Sequence, residues 1–372
     1  MMKRVLQIGM TANIGGMETY LMNQYRHLNH DKIRYDFVNI TEDRPMVFKE
    51  EIQRNGDAVY AVCRRSKNPI KHYWDWYNLL KKNRGKYDAI VLNACNLHYV
   101  FPLAIGAIMG ISKRIIHSHN SGEEISLSFK RKIMIQFNKW LVKLFATDYW
   151  ACSEVAGKWM FGNHPFTVIH NAIDVTKFEY NPVVRQQKRN ELGIQDKFVI
   201  GHVGRFSYQK NHEFIIDVFS ELTKQRPNAI LLLIGDAVAG ELEFLNKAKQ
   251  KVASLGLQDK VKFLGMRTDV NELMQAMDCF LFPSHFEGLG IVALEAQTSG
   301  MPCYFSTAVP KDVDITPLAH FISLQELPSH WAKKIVASSN MERTNMNHYI
   351  QDAGYDINTE IVKVENVYLS EK

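Results

Sequence analysis

The stretch Phe282–Cys303, FPSHFEGLGIVALEAQTSGMPC, reads as the end of one strand, a glycine-bearing loop, a helix and the start of the next strand. The strand ends at Pro283, Glu287 stands in the loop, and Gly288-Leu289-Gly290 opens a helix that carries Glu295. Glycines at a helix N-terminus let backbone N–H groups approach an anion, and the helix dipole favours negative charge there. With phosphates on those amides, Glu287 at the mouth and Glu295 about a turn and a half into the helix are placed to accept hydrogen bonds from sugar and ribose hydroxyls. The plainer alternative makes Glu295 a solvated helix residue. Its neighbours Ile291, Val292, Ala293, Leu294 and Ala296 are apolar, which favours a paired or ligand-facing carboxylate.

Outward from this stretch, short β-branched or aromatic runs alternate with longer helical patterns. The first half holds Arg4–Gly9, Tyr35–Ile40, Tyr87–Asn93, Arg114–Ser118, Asp148–Cys152 and Phe166–Ile169. The second holds Phe198–Val203, Ala229–Gly235, Val261–Gly265, Cys279–Pro283, Pro302–Ser306 and His320–Leu324. Continuous apolar strands separated by helices imply α/β domains with parallel sheets covered on both faces. The pattern restarts near residue 197, after the polar stretch Val175–Lys197, so two doubly wound domains are expected, with ligands at the carboxyl ends of their strands.

Composition agrees. A chain of 372 residues, 46% hydrophobic and 23% charged, is ordinary for a globular protein and long enough for two domains. The longest apolar stretch, Tyr99–Ile111, falls short of the roughly 20 residues that span a bilayer. The start, MMKRVLQIGM, does not read as a signal peptide. Five widely spaced cysteines without a Cys-x-x-Cys point to reduced thiols rather than a disulfide framework or zinc site. Residues 1–180 carry 25 Lys+Arg and 16 Asp+Glu, hence +9; the remainder carries 45−25=20 and 39−16=23, hence −3. A basic first half fits nucleic acid, an anionic membrane surface or phosphorylated small molecules.

Two further turns follow first strands. Gly204-Arg205-Phe206-Ser207-Tyr208-Gln209-Lys210-Asn211 offers the planar fork of Arg205 and the point charge of Lys210, equipment for a diphosphate. Asn13-Ile14-Gly15-Gly16-Met17-Glu18 is a strand–Gly-Gly–helix turn without the full Gly-x-Gly-x-x-Gly pattern, which counts against a dinucleotide-binding dehydrogenase.

In this order, the double glycine, Gly204-Arg205 with Lys210, and Glu287 and Glu295 followed by Gly300-Met301-Pro302 resemble glycosyltransferase family 4. These are retaining, nucleotide-sugar-dependent enzymes of the GT-B fold, two Rossmann-like domains facing across a cleft. Asn171-Ala172-Ile173-Asp174 with Phe178 resembles the family's interdomain segment, with Ala172 where Gly is usual; Asp312 stands where Glu is expected after Val309-Pro310. NIGGMETYLMN and HSHNSG look most like bacterial exopolysaccharide and capsule transferases.

The resemblance implies domains at 1–175 and 176–354, with residues of about 355–372 packing back on the first. It also implies that Arg205 and Lys210 hold the donor diphosphate and that Glu295 binds ribose. Glu287 would contact the donor sugar, and the amides of Leu289 and Gly290, with Gly288 beside them in the donor site, would sit near the phosphate or sugar. Gly15 and Gly16 would close on the diphosphate, and His119 (or, less favoured, His117) would lie near the reacting sugar. Backbone at Met266 and Arg267 would edge the base. The expected donor is a UDP-sugar and the acceptor lipid-linked or saccharide. No metal and no separate cofactor are implied, and the lone Asp-x-Asp, Asp312-Val313-Asp314, reads as a loop coincidence.

In the run Lys130–Lys143, Ile133, Phe137, Trp140, Leu141 and Leu144 share one helical face, and Lys132, Lys139 and Lys143 form a separate stripe. An interfacial helix on anionic lipid and a surface helix with its apolar face in the core both fit. Arg64, Arg65, Lys67 and Lys71 with Tyr73, Trp74 and Trp76 make a second such run. The expected place is the cytoplasm, peripheral to the membrane. The alternatives are a nucleotide-sugar 2-epimerase of the same fold and a non-enzymatic nucleic-acid-binding module, against which no nucleic-acid motif appears.

Overall fold

The computed structural model describes residues 2–12, 15–40, 44–120, 128–237, 240–337 and 341–370. The chain divides into two compact units, Met1–Ala172 with Ile357–Lys372, and Ile173–Asp356.

The first unit runs β1 (Lys3–Ile8), α1 (Gly16–His27), β2 (Ile33–Asn39), α2 (Lys49–Arg54), β3 (Val59–Ala61), α3 (Pro69–Lys82), β4 (Ala89–Ala94), α4 (Phe101–Ile108), β5 (Lys113–Ser118), α5 (Phe129–Phe145), β6 (Asp148–Ala151), α6 (Glu154–Phe161) and β7 (Thr167–Val168). The second runs α7 (Val175–Phe178), α8 (Pro182–Leu192), β8 (Phe198–Val203), α9 (His212–Thr223), β9 (Ala229–Ile234), α10 (Leu242–Ser254), β10 (Val261–Phe263), α11 (Val270–Ala276), β11 (Cys279–Phe282), α12 (Ile291–Thr298), β12 (Cys303–Ser306), β13 (Ala319–Ile322), α13 (Pro328–Ala337) and α14 (Asn347–Asp352). The last helix, α15 (Ile357–Leu369), belongs to the first unit.

Each unit is built on one parallel sheet, seven strands in the order β3-β2-β1-β4-β5-β6-β7 and six in the order β10-β9-β8-β11-β12-β13. In both, the strand order reverses beside the first strand, at β1/β4 and at β8/β11. At such a switch point the loops part and leave a crevice at the carboxyl ends. Strands β4 (AIVLNA) and β9 (AILLLI) are buried along their whole length, which is why they read as unbroken apolar runs. Leu231, Leu233 and Leu281 centre one core with Phe219 and Trp331; Leu92, Ile116 and Leu103 centre the other with Trp76. Each strand run read from the sequence is present. The strand not foreseen is β3, two half-buried residues and an exposed one at a sheet edge, too short for a periodic signal.

Local chemistry starts the helices. Asn68 and Asn181 accept backbone N–H groups at the N-termini of α3 and α8, each followed by a proline, and Asp174 does the same for α7. Gly9 ends β1 at φ +131°, and a Cβ there would lie 2.8 Å from the Cβ of Asn93, so only glycine lets the chain pass over β4. Helix α15 packs on α1. Its Tyr368 is buried against Trp150 and Tyr35, and Glu360 accepts the His170 backbone N–H at 2.8 Å.

Candidate functional site

In the second unit the loops after β8 and β11 are joined by side chains. Lys210 Nζ donates to Glu287 Oε1 at 2.7 Å and lies 4.5 Å from the centre of the Phe282 ring. Gln209 Nε2 donates to the other carboxylate oxygen at 3.1 Å and to the Phe286 carbonyl at 3.0 Å. Gln209 returns an acceptor to the His285 N–H at 2.8 Å, and Asn211 Nδ2 holds the Pro283 carbonyl. Arg205, by contrast, is exposed and carries no ion pair among the described residues. The structure therefore brings Lys210 and Glu287 into one ion pair, a contact not foreseen, and leaves Arg205 beside it as an uncommitted guanidinium.

Gly290 caps α12 at φ +81°, where a Cβ would come within 3.2 Å of the Phe282 ring. No side chain satisfies the first-turn amides of α12; the Ala293 N–H donates to the Gly290 carbonyl at 2.8 Å, which leaves those of Ile291 and Val292 for an anion. Leu289 is buried and Gly288 half-buried in the loop before them. Glu295 is 8% exposed, and burial pushes its carboxyl up to about 7, opposed only by the charge of Lys177 on α7. It is thus no solvated helix residue. Met266 is 65% exposed after β10, while the Arg267 guanidinium is committed to both oxygens of Asp269 at 2.7 Å. Asp312 lies on a 3₁₀ turn, Lys311–Val313, and Asp314 pairs with Lys311 at 3.3 Å.

In the first unit, Asn13 and Ile14 of the glycine turn lie outside the described residues, as do Ser121 and Gly122 of HSHNSG. Gly15 and Gly16 open α1, again without a side-chain cap. Glu18 in its first turn is buried and closes the loop by accepting the Thr11 N–H at 3.1 Å and hydroxyl at 2.7 Å. His119 follows β5 and is 8% exposed, with Nε2 3.0 Å from Asn93 Oδ1. His117 is fully buried, 3.3 Å from the Tyr20 hydroxyl and edge-on to Trp150, a core histidine. Burial drives both imidazoles to neutrality, His119 down to about 3.

Sequence reading missed the groups that hold these side chains, namely Gln209, Glu18, Asn93 and Gln7. A signal existed for two of them. Gln7 and Asn93 interrupt the apolar runs Val5–Ile8 and Ala89–Ala94, and buried polar groups persist only where they are hydrogen-bonded.

A different surface lies on α5. At about 100° per residue, Phe129, Ile133, Phe137, Trp140 and Leu144 form one narrow stripe, and all are more than half exposed, Phe137 and Trp140 at 57%. Asn138 and Val142, on the opposite side of the helix, are the buried ones, and Leu141 is half-buried against the core. The apolar stripe thus faces out. Helix α4 packs on both α3 and α5, and Ile108 on α4 and Ile70 and Trp74 on α3 are exposed too.

Comparison with known proteins follows the same division. Residues 14–177 match the model of Glycosyltransferase Family 4, and residues 184–312 that of Glycosyl transferases group 1. The chain is 31% identical over 378 residues to the putative glycosyltransferase EpsF of Bacillus subtilis (strain 168), covering 98% of this chain and 96% of that one. It is 28% identical over 320 residues to the UDP-Gal:alpha-D-GlcNAc-diphosphoundecaprenol alpha-1,3-galactosyltransferase of Escherichia coli, covering 82% and 79%. Among solved structures it resembles Anabaena Alr3699/HepE in complex with UDP and glucose, at a TM-score of 0.73 and 21% identity over 99% of this chain and 95% of that one. That likeness and the two Rossmann-like sheets give the GT-B fold class. The match to EpsF over nearly the whole length of both chains decides the family: this chain is a glycosyltransferase and belongs to family 4.

Proposed function

We propose that this chain is a retaining hexosyltransferase that moves a sugar from a UDP-linked donor to a lipid-linked or saccharide acceptor in cell-surface polysaccharide synthesis. The observation that carries the reading is the Lys210–Glu287 pair at 2.7 Å beside the uncapped N-terminus of α12, with Arg205 uncommitted next to it. In this reading the donor diphosphate lies on the amides that follow Gly288, Leu289 and Gly290 and meets the fork of Arg205. Lys210 adds the second positive charge. As the bond from sugar to phosphate breaks, negative charge grows on the leaving diphosphate, and fixed cations and amides there lower the barrier without a metal ion. Glu287 holds Lys210 in place and accepts from sugar hydroxyls; Glu295 accepts from ribose; backbone at Met266 edges the base. The open amides at Gly15 and Gly16 suit phosphate oxygens, and His119, held neutral by burial, suits a sugar hydroxyl.

Relatives named as a UDP-galactose-dependent transferase onto a lipid diphosphate and as a structure bound to UDP and glucose support the donor and acceptor classes. Nothing favours a 2-epimerase or a nucleic-acid-binding module. Incubation with a panel of labelled nucleotide-sugars and undecaprenyl-diphosphate-linked saccharides tests the reading. Transfer from a UDP-sugar with retained anomeric configuration is expected; an epimerised nucleotide-sugar without transfer would overturn it.

The proposal includes the cytoplasmic face of the membrane, with the chain peripheral to it. No helix among the described residues is long and apolar enough to cross a membrane. The outward stripe Phe129–Leu144 on α5, flanked by Lys132, Lys139 and Lys143, has the two faces of a helix lying on anionic lipid.

A further inference from the structure

His119 has a neighbour that the transfer chemistry does not otherwise call for. Asn93, at the end of β4, is buried, and its Nδ2 stands 3.0 Å from the Ile8 carbonyl oxygen and 3.0 Å from Gln7 Oε1. A backbone carbonyl can only accept, so the amide cannot be turned round without setting Asn93 Oδ1 against another oxygen. Gln7 must then present its own oxygen to Asn93, and its Nε2 faces the Tyr368 hydroxyl at 3.5 Å on α15.

The consequence falls on the histidine. Asn93 Oδ1, with no proton to give, lies 3.0 Å from His119 Nε2, so Nε2 must carry the proton. In a neutral ring Nδ1 is then a bare lone pair. It is buried and makes no hydrogen bond of ordinary geometry among the described residues, although the Asn171 side chain approaches the ring as an acceptor and favours its charged form, with its Oδ1 likewise buried and short of hydrogen-bond geometry.

We propose that Asn93 is a positioning residue for sugar transfer: it locks His119 as the Nε2–H tautomer, which leaves Nδ1 without a proton, so that this ring is never a proton donor to the leaving group. The inference rests on His119 facing the sugar, and its test separates the two. Long-range ¹H–¹⁵N spectra of the imidazoles in the whole protein, with His119→Gln to assign the ring, should show Nε2 protonated and Nδ1 unprotonated. A proton on Nδ1 overturns the proposal, and this measurement needs no altered Asn93.

Kinetics with a UDP-sugar supply the second arm. Asn93→Ala should lower kcat/KM about tenfold, the size expected for a misdirected hydrogen bond. The double variant Asn93→Ala/His119→Ala should be no slower than His119→Ala, because the two residues act as one unit. Additive losses would make Asn93 a structural residue only, and wild-type turnover in His119→Ala would remove the histidine from the reaction. Asn93→Asp keeps the acceptor but loses the donation to Ile8. Its carboxylate should draw a second proton onto the ring, visible as a protonated Nδ1, and lower kcat/KM with it; a neutral ring there counts against the proposal.

Discussion

At the carboxyl end of the second unit's sheet the polar groups are charged: Lys210 and Glu287 pair at 2.7 Å, Arg205 stands exposed beside them, and Glu295 is buried one loop away. At the same end of the first unit's sheet, Glu18 apart, they are neutral: His119, His117, Asn93, Gln7 and Tyr20 form a buried web of uncharged donors and acceptors. Two sheets of the same architecture thus offer opposite chemistry at the same topological place. Fixed charge serves where a substrate gains charge during reaction; neutral, oriented groups serve where hydroxyls must be told apart. Burial enforces the difference, because an imidazolium without an anion cannot survive inside the first unit, whereas Lys210 carries its counter-charge with it.

The sharpest way to break that comparison is to remove charge from the charged end. Arg205→Ala should cost roughly 100-fold or more in kcat, and saturating donor should not restore it, since the charge it meets grows towards the transition state. The side chain is exposed, so folding is not at stake. Lys210→Ala should lose as much, and pairing Lys210→Met with Glu287→Gln separates lost catalysis from a stranded carboxylate. Wild-type turnover in both single variants would place the diphosphate elsewhere.

A second test asks whether the first unit's basic charge serves a membrane instead. Each lysine near an anionic surface contributes about 1 kcal/mol. Lys132, Lys139 and Lys143 replaced together by Gln should therefore weaken sedimentation with phosphatidylglycerol vesicles on the order of 100-fold. High salt should release the wild type, and turnover on a soluble acceptor analogue should persist. Equal binding to neutral vesicles would assign the stripe another partner.

A third effect reports on Glu295, whose carboxyl is raised from 4.5 to about 7 by burial. Between those values the folded chain holds a proton that the unfolded chain has released, so stability falls as pH rises through that window. Glu295→Gln lacks this term. The wild type should lose roughly 3 kcal/mol against the variant between pH 4.5 and 8, read as a melting-temperature difference that widens with pH. A constant difference would show the carboxylate to be ionised throughout. The smallest expected effect is that of excess EDTA, which should leave turnover in place; complete loss restored by Mg²⁺ would contradict a clamp made of side chains and amides.

Much of the fold is legible in the chain because parallel strands are buried on both faces. FVIGHV, AILLLI and AIVLNA announce themselves by composition alone, whereas Val59–Ala61 at a sheet edge does not. Glu287 and Glu295 are legible because local motif and helix register carry them. The partner of Glu287 is not, since Lys210 lies 77 positions away and reaches it only when β8 and β11 lie side by side.

Helix α5 marks the same limit. Its spacing defines an apolar stripe and a lysine stripe, but periodicity states that a face exists, not what it faces; packing put Asn138 and Val142 inside and left Trp140 out. By itself, then, the sequence determined two parallel α/β sheets, the turns that end their strands and the residue types at those turns, because backbone preference and burial are read within a few residues. Only the tertiary structure decided that Lys210 is paired, that Arg205 is not, and which nitrogen of His119 holds its proton. Those facts depend on Glu287, Gln7 and Asn93 arriving from distant strands, and hydrogen bonds of about 3 Å exist only where the fold brings their ends together.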